Sequence, residues 1–567
     1  MAHKNRWQIA APLTPLADQE LASHPPVIRQ ILFNRGYATR QEAYDFLNAK
    51  EPFNTDPFQL KGMRATVDRI TSAIDSREPI AVYGDYDVDG VTATALLVQA
   101  LRSLGADVRE YIPNRFDEGY GLNKDALSAL KDQGVRLVIS VDCGIRSPEE
   151  ADHARAIGID LIISDHHEPA GVIPNALAVI NPKQAGDHYP EKYLAGVGIA
   201  YKIAQALLST FQPSNFQLET LLDLVALGTV ADLAPLSGEN RVLVRRGLLQ
   251  MRQSQRQGLV SLAGVAEVQL NKISAMNIGF GLGPRLNAAG RLESALASFD
   301  LLMTNDVFKA GQLALQLDQQ NRDRQRLTKD TQARAESIAL ADDPDTFLLF
   351  AADSGFNPGV VGLAASRLVE VFARPAIVAE QGEEFTRGSC RSIPAFHITR
   401  ALDQCADLLV RHGGHAAAAG FTVRNENVKE LVTRLKAIAR DQLADLDLRP
   451  VLSADAEVPL SDLKPELMKY LDALQPTGYG NPDAVFVARN LRVIESRTVG
   501  ADGKHLKMKV TDGKVTYDAI AFRLGEWKIN MPAKIDLMFA FETNEFNGRT
   551  SYQLNVKDLK PSGTDDE

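Results

Sequence analysis

The chain has 567 residues, 45% of them hydrophobic and 24% charged, and carries a formal net charge of −10. That length exceeds what one hydrophobic core supports, so about three domains are expected, and the acidic balance excludes a protein that coats nucleic acid by bulk charge while leaving room for a local basic groove. Three scattered cysteines, Cys143, Cys390 and Cys405, form no CxxC pair, which excludes a disulfide framework and a thiolate zinc site and suggests buried small residues.

No cationic-then-apolar leader and no run of 18 apolar residues occurs, so the expected setting is cytoplasmic and away from membranes. Residues 1–75 are mixed helical and proline-containing, and read as a cap without a chemical signature. From Ile80 the pattern changes. Short apolar runs, "PIAVYGD", "ADVREYI", "VRLVISVDCG", "IDLIISDHH" and "ALAVINP", alternate with amphipathic stretches such as "TATALLVQALRSLG". That alternation predicts an α/β domain with a parallel sheet, in which function sits at the carboxyl ends of the strands. Residues 304–340 contain no proline and one glycine, which predicts a long connecting helix whose polar middle, "QQNRDRQR", gives its arginines a solvated face. A second α/β pattern follows. Beyond about residue 450 the alternation becomes antiparallel. In "HLKMKVTDGKVTYDAIAF", Leu506, Met508 and Val510 alternate with polar residues and "TDGK" signals a hairpin. A second hairpin is expected around Asn547 and Gly548, and about five such strands predict a small barrel of OB type. Such barrels bind single strands through basic grooves and stacking aromatics, for which Phe546, Tyr552, Lys504, Lys507 and Arg549 are candidates.

The chemistry gathers at the predicted strand ends. Asp85, Asp87 and Asp89 follow "AVYG", Asp142 follows "LVISV", Asp165, His166 and His167 follow "LIIS", and Asp232 ends "LLDLVALGTVAD". A single Asp after a strand is commonly a helix cap or turn residue. Capping needs one carboxylate per helix, however, and converging carboxylates repel one another unless cations lie between them. Oxygen-rich ligands with one or two imidazoles suit Mn²⁺ or Mg²⁺.

"GDYDVDG", "SVDCG", "SDHHEP" and "GTVADL", in that order, resemble the successive motifs of the DHH phosphoesterase superfamily. The continuation through "GPRLNAAGRL", "SGFNPGVVGLAASRLVE", "GSCRSIP" and "RHGGHAAAAGF" resembles its single-stranded-DNA exonuclease branch, so the likeness covers nearly the whole chain from about residue 35. The resemblance implies a cap (1–75), a DHH catalytic domain (76–300), a connecting helix (301–341), a DHHA1 substrate-binding domain (342–449) and an OB-like domain (450–567). It implies two divalent ions, Mn²⁺ or Mg²⁺, on Asp85, Asp87, Asp142, His166 and Asp232, with Asp142 bridging, His167 contacting phosphate and Asp165 orienting the histidines. Asp89 either binds metal or braces the loop, and Tyr83 stands where many members carry His. Arg115, Tyr120, Arg285, Arg291, Ser389, Arg391 and His415 are the implied substrate-binding residues.

The implied activity is removal of nucleotides from the 5′ end of single-stranded DNA by two-metal phosphodiester hydrolysis, in repair and recombination. The expected protein is a monomer that works with a single-strand-binding protein and a RecQ-like helicase. Two alternatives stand beside it: a small-substrate phosphodiesterase acting on short oligonucleotides or cyclic dinucleotides, and a non-catalytic single-strand-binding scaffold. The tail beyond residue 449 carries no ligand cluster, so its removal is expected to weaken binding while sparing hydrolysis of short substrates.

Overall fold

The computed structural model describes residues 5–51, 54–115, 117–211, 216–341, 343–546 and 548–564. The chain forms two compact units, one of Met1–Pro113, Glu118–Gly283 and Val451–Glu567, the other of Asn114–Asp117 and Pro284–Pro450. Among the described residues no helix is long and apolar enough to cross a membrane.

All five apolar runs are strands of one parallel sheet in the first unit, in the order Val108–Tyr111, Ile80–Gly84, Leu137–Val141, Asp160–Ser164, Ala178–Ile180. Ile80–Gly84 and Leu137–Val141 are buried along their whole length, which is why they read as unbroken apolar runs and not as alternating ones. The helix Val88–Ser103 follows the first strand at once. It is capped by Asp87, whose carboxylate accepts from the amides of Asp89 (2.9 Å) and Gly90 (3.1 Å). Leu222–Ala231 is an almost wholly buried helix that ends at Asp232, so the fourth acidic motif arrives on a helix C-cap.

The tail closes into a barrel that is antiparallel except at one seam. His505–Thr511 pairs with Phe486–Val499 and Thr516–Ala521, Thr516–Ala521 pairs in parallel with Arg549–Pro561, Arg549–Pro561 pairs with Lys534–Phe546, and Phe486–Val499 also pairs with Lys534–Phe546, completing the ring. Leu506, Met508 and Val510 face its core, as their alternation requires. The barrel core is shared with the start of the chain. Leu21, Ile28, Ile31, Leu32, Ala43 and Phe46 pack with Leu460, Phe486, Leu537 and Phe539 in one cluster, and Arg6–Ile9 pairs in parallel with Val451–Ala454. The start of the chain thus uses the barrel as the other half of its core.

In the second unit, Val307–Leu340 is one 34-residue helix, capped by Asp306. Its arginines are not one solvated face. Arg322 and Arg326 are exposed, whereas Arg324 is half-buried, donates to Asn321 and has its pKa lowered by burial and by Arg367. The unit's mixed sheet runs Leu409–Gly414, Ala418–Arg424, Phe385–Arg391, Ala376–Gln381, Leu349–Asp353, with only the last pair parallel.

Candidate metal centre and substrate-binding residues

The carboxyl ends of three adjacent strands and the C-cap of one helix bring the acids and imidazoles together. Ligand atoms of Asp85, Asp87 and Asp142 lie within 4.8 Å of one another, and so do those of Asp89, His166 and Asp232, and of Asp142, His166 and His167. His166 Nε2 is the hub: it stands 3.0 Å from Asp142 Oδ1 and 3.8 Å from carboxylate oxygens of both Asp89 and Asp232.

The backbone is bent to achieve this. Asp142 adopts φ 63°, a left-handed conformation that Asp tolerates better than most residues, and its amide is held by Ser164 O at 3.0 Å. Gly90 is required by close approach, since a Cβ there would come within 2.5 Å of Asp85 O and 2.6 Å of Asp85 N. The helix start could then no longer lie against the acidic turn.

Electrostatically the cluster is incomplete as protein alone. Burial, then the charges of Asp89, Asp87, Asp85 and Asp232, push the Asp142 carboxyl well above its ordinary range. Burial and neighbouring carboxylates raise Asp89 to about 7 and Asp232 to about 9. Burial, then the neighbouring His167, lowers His166 to about 3, so its imidazole is neutral and able to donate a lone pair. Asp142 Oδ1 and His166 Nε2 are both buried without a hydrogen bond of proper geometry. Orphaned donors of this kind, carboxylate oxygen beside imidazole nitrogen, fit a divalent cation such as Mn²⁺ or Mg²⁺.

Two acids do other work. Asp165 Oδ1 accepts from the amides of His166 (2.7 Å) and His167 (3.1 Å) and lies 2.8 Å from His167 Nδ1, while its Oδ2 accepts from Ile145 N at 2.9 Å. It thus sets the direction of the His167 imidazole and fixes the backbone of both histidines. Burial opposes the His167 cation, but the bond and charge of Asp165 together with the charges of Asp87 and Asp85 outweigh it and the pKa is raised. Asp89 accepts from Gly196 N (2.6 Å) and Val197 N (2.8 Å), fastening the start of the helix Gly196–Phe211, and still reaches the cluster. Tyr83 does not join it. Its ring is fully buried against Tyr111 and its hydroxyl donates to Gly121 O at 3.1 Å.

Of the expected substrate-binding residues, Tyr120 lies beside this cluster, its hydroxyl 3.3 Å from His167 Nδ1. Ser389 and Arg391 occupy alternate positions on the strand Phe385–Arg391 and face the same way, with Arg391 Nη1 donating to Ser389 Oγ at 3.2 Å. Burial, with the charge of Arg115 adding to it, lowers the Arg391 pKa. His415 is exposed at the turn beyond the Arg391–Ala418 pairing, and its amide donates to Ala418 O at 2.7 Å. Arg285 is tied to buried Asp318 at 2.9 Å, and Arg291 packs its backbone against Gly359. In the barrel, Tyr552 stacks on Phe541 and Lys504 pairs with Asp502 at 2.5 Å. Asn547 and the side chains of Phe546 and Arg549 lie outside the described residues. Sequence reasoning missed Lys183, whose charge reaches His166 and Asp232 from just beyond the fifth strand. Its only signal was the "NPK" that ends "ALAVINPK".

Three family models match: the DHH family N-terminal domain over residues 79–229, the DHHA1 domain over 345–441, and the RecJ OB domain over 454–558. The single-stranded-DNA-specific exonuclease RecJ of Bacillus subtilis is 39% identical, over 99% of this chain and 72% of that protein. RecJ of Escherichia coli is 34% identical, over 95% and 96%. The crystal structure of Thermus thermophilus RecJ with Mn²⁺ superimposes with a TM-score of 0.86 at 29% identity, covering all of this chain and 81% of that one.

Proposed function

Because the chain belongs to the RecJ family of single-stranded-DNA-specific exonucleases, we propose that it is a metal-dependent nuclease that hydrolyses single-stranded DNA from the 5′ end. The observation that carries the metal-dependent chemistry is the buried pair Asp142 Oδ1 and His166 Nε2, 3.0 Å apart and without proper hydrogen bonds, ringed by four more carboxylates.

In this reading Asp85, Asp87, His166, Asp232 and the central Asp142 would hold two ions, Mn²⁺ or Mg²⁺. Divalent ions there supply Lewis acidity, acidifying water and offsetting charge on the phosphoryl oxygens. The chain's own groups do the positioning. His167, held by Asp165 and favoured as a cation, donates to a non-bridging phosphate oxygen. Tyr120 limits its swing. Ser389, Arg391 and Arg115 read the terminal phosphate, whose extra negative charge over an internal diester a bidentate guanidinium can exploit. Arg285, Arg291 and His415 support the strand-binding face. A single-strand-binding protein and a RecQ-like helicase are the partners such an activity calls for, since both present unpaired strands.

The test is digestion of 5′- or 3′-labelled oligonucleotides, single-stranded and duplex, with Mn²⁺, Mg²⁺ or chelator, using Asp142→Ala as the control. The expected result is metal-dependent release of mononucleotides from the 5′ end of single strands only, abolished in Asp142→Ala. Release from the 3′ end, or turnover in chelator, would overturn the reading.

A further inference from the structure

Phe280 is 83% exposed, Leu233 67%, Tyr479 64% and Met276 61%, and all four border one cavity of about 190 Å³ in the first unit. They are not loosely held. Phe280 sits on Ile278–Leu282, a single π-helical turn leading into the helix Gly283–Leu292. Such turns sacrifice helical hydrogen-bond geometry and recur at functional sites. This one lies against the helix that delivers Asp232, for a Cβ on Gly283 would meet Ala231 at 3.4 Å and one on Gly279 would meet Val230 at 3.9 Å.

Tyr479 comes from far along the chain and is pinned to the same place. Leu236 N donates to Tyr479 O at 2.7 Å. The flanking glycines permit that contact: a Cβ on Gly478 would stand 2.8 Å from Leu236 and one on Gly480 2.9 Å from Pro235. Behind the turn, fully buried Arg241 donates to the carbonyls of Ala473, Leu474 and Pro476. Buried polar bonds and glycine-tight backbone contacts therefore hold two aromatic side chains out in water, immediately after a residue of the metal cluster. Exposed apolar clusters rimmed by polar groups mark binding sites.

We propose that Phe280 and Tyr479 form a stacking platform for unpaired nucleobases of the strand entering the metal centre, so that part of the preference for single strands is built there. The proposal rests on the nuclease reading above. The cavity's described lining contains no cationic side chain, which argues for bases over phosphates, while Thr477 and Asp483 on its rim offer polar groups to base edges. An aromatic face stacks on any base and so reads none in particular, whereas a base stacked and paired in a duplex has no free face to offer.

Two measurements test it. In chelator, 2-aminopurine placed singly along a 5′-phosphorylated oligonucleotide should be quenched at one or two positions on binding. That quenching should vanish in Phe280→Ala or Tyr479→Ala and return in Phe280→Tyr. With Mn²⁺, an abasic site at the quenched position should lower kcat/KM by roughly five- to a hundredfold in the native protein, from a stacking contribution of about 1–3 kcal/mol per base, and cause no further loss in Phe280→Ala. Quenching that survives both alanine variants, or abasic losses that simply add to the variant's, would overturn the platform. Absence of any Mn²⁺-dependent degradation would overturn the nuclease reading instead, with the fluorescence still deciding the platform.

Discussion

In the proposed reading, Arg391 is the residue on which direction of digestion turns. A metal cluster cannot distinguish one end of a strand from the other, because successive phosphodiesters look alike to it. A terminal monophosphate differs by up to one charge, and Arg391, donating to Ser389 Oγ and within the field of Arg115, is placed to exploit that difference. Arg391→Ala should therefore lower kcat/KM on 5′-phosphorylated DNA by about ten- to a hundredfold, the loss of one or two charge-assisted hydrogen bonds of about 1.5–3 kcal/mol, with a smaller loss on 5′-hydroxyl ends. Competition between the two substrates measures it, and equal losses would make Arg391 a general backbone contact. Asp89 shows how one residue serves twice. Its bonds to Gly196 N and Val197 N imply that Asp89→Ala loses about 1–2 kcal/mol of stability as a lost helix cap, readable as a lowered Tm even in chelator.

At the scale of elements, the centre depends on a strand end and a helix start lying closer than side chains normally allow. Gly90→Ala places a methyl group 2.5 Å from Asp85 O, and both atoms belong to backbone that is held by its neighbours. The expected outcome is a folded protein with Tm lowered by several degrees, on the order of 2 kcal/mol, and with much weaker Mn²⁺ binding by calorimetry. Normal metal affinity in that variant would mean the acidic turn can re-form without the helix against it. The parallel sheet itself tolerates such crowding because its central strands are covered on both faces.

For the molecule as a whole, the two chain ends are one folding problem. Truncation after residue 449 bares Leu21, Ile28, Ile31 and Leu32, each fully buried in the intact protein. At about 1.5–3 kcal/mol for each large aliphatic side chain, the loss is comparable to a domain's entire stability of about 5–15 kcal/mol. The truncated chain should aggregate on expression, while joint removal of the first 50 residues and the tail should recover some soluble protein; a soluble, active single truncation would contradict the shared core. Metal removal acts globally too. Raised carboxyls bind protons more tightly folded than unfolded, so their contribution to the metal-free protein's stability is fully present below the ordinary carboxylate value of about 4. It loses that contribution as pH rises through about 7 and on to about 9, the values for Asp89 and Asp232. Mn²⁺ supplies the missing countercharge, so the rise in Tm on adding it should grow between pH 5 and pH 9 in scanning calorimetry. A rise independent of pH would show that these carboxyls do not titrate with the fold.

Sequence alone determined the parts made of local pattern. The five parallel strands, the 34-residue helix and the 511–514 hairpin follow from hydrophobic period, absent proline and turn chemistry, each confined to a few neighbouring residues. The acids and imidazoles were legible for the same reason, since parallel strands place their carboxyl ends on one edge whatever lies between them. Only the tertiary structure decided what depends on distant chain segments meeting. Asp89 as a brace for Gly196, Tyr83 as a core residue, Arg324 as a half-buried one and Lys183 beside the cluster each rest on a partner far away in sequence or on another face. The shared core of the two chain ends joins residues more than 400 apart, and Tyr479 reaches Leu236 across some 240 residues. No periodicity spans such separations. Burial chooses those partners, and burial is a property of the packed whole.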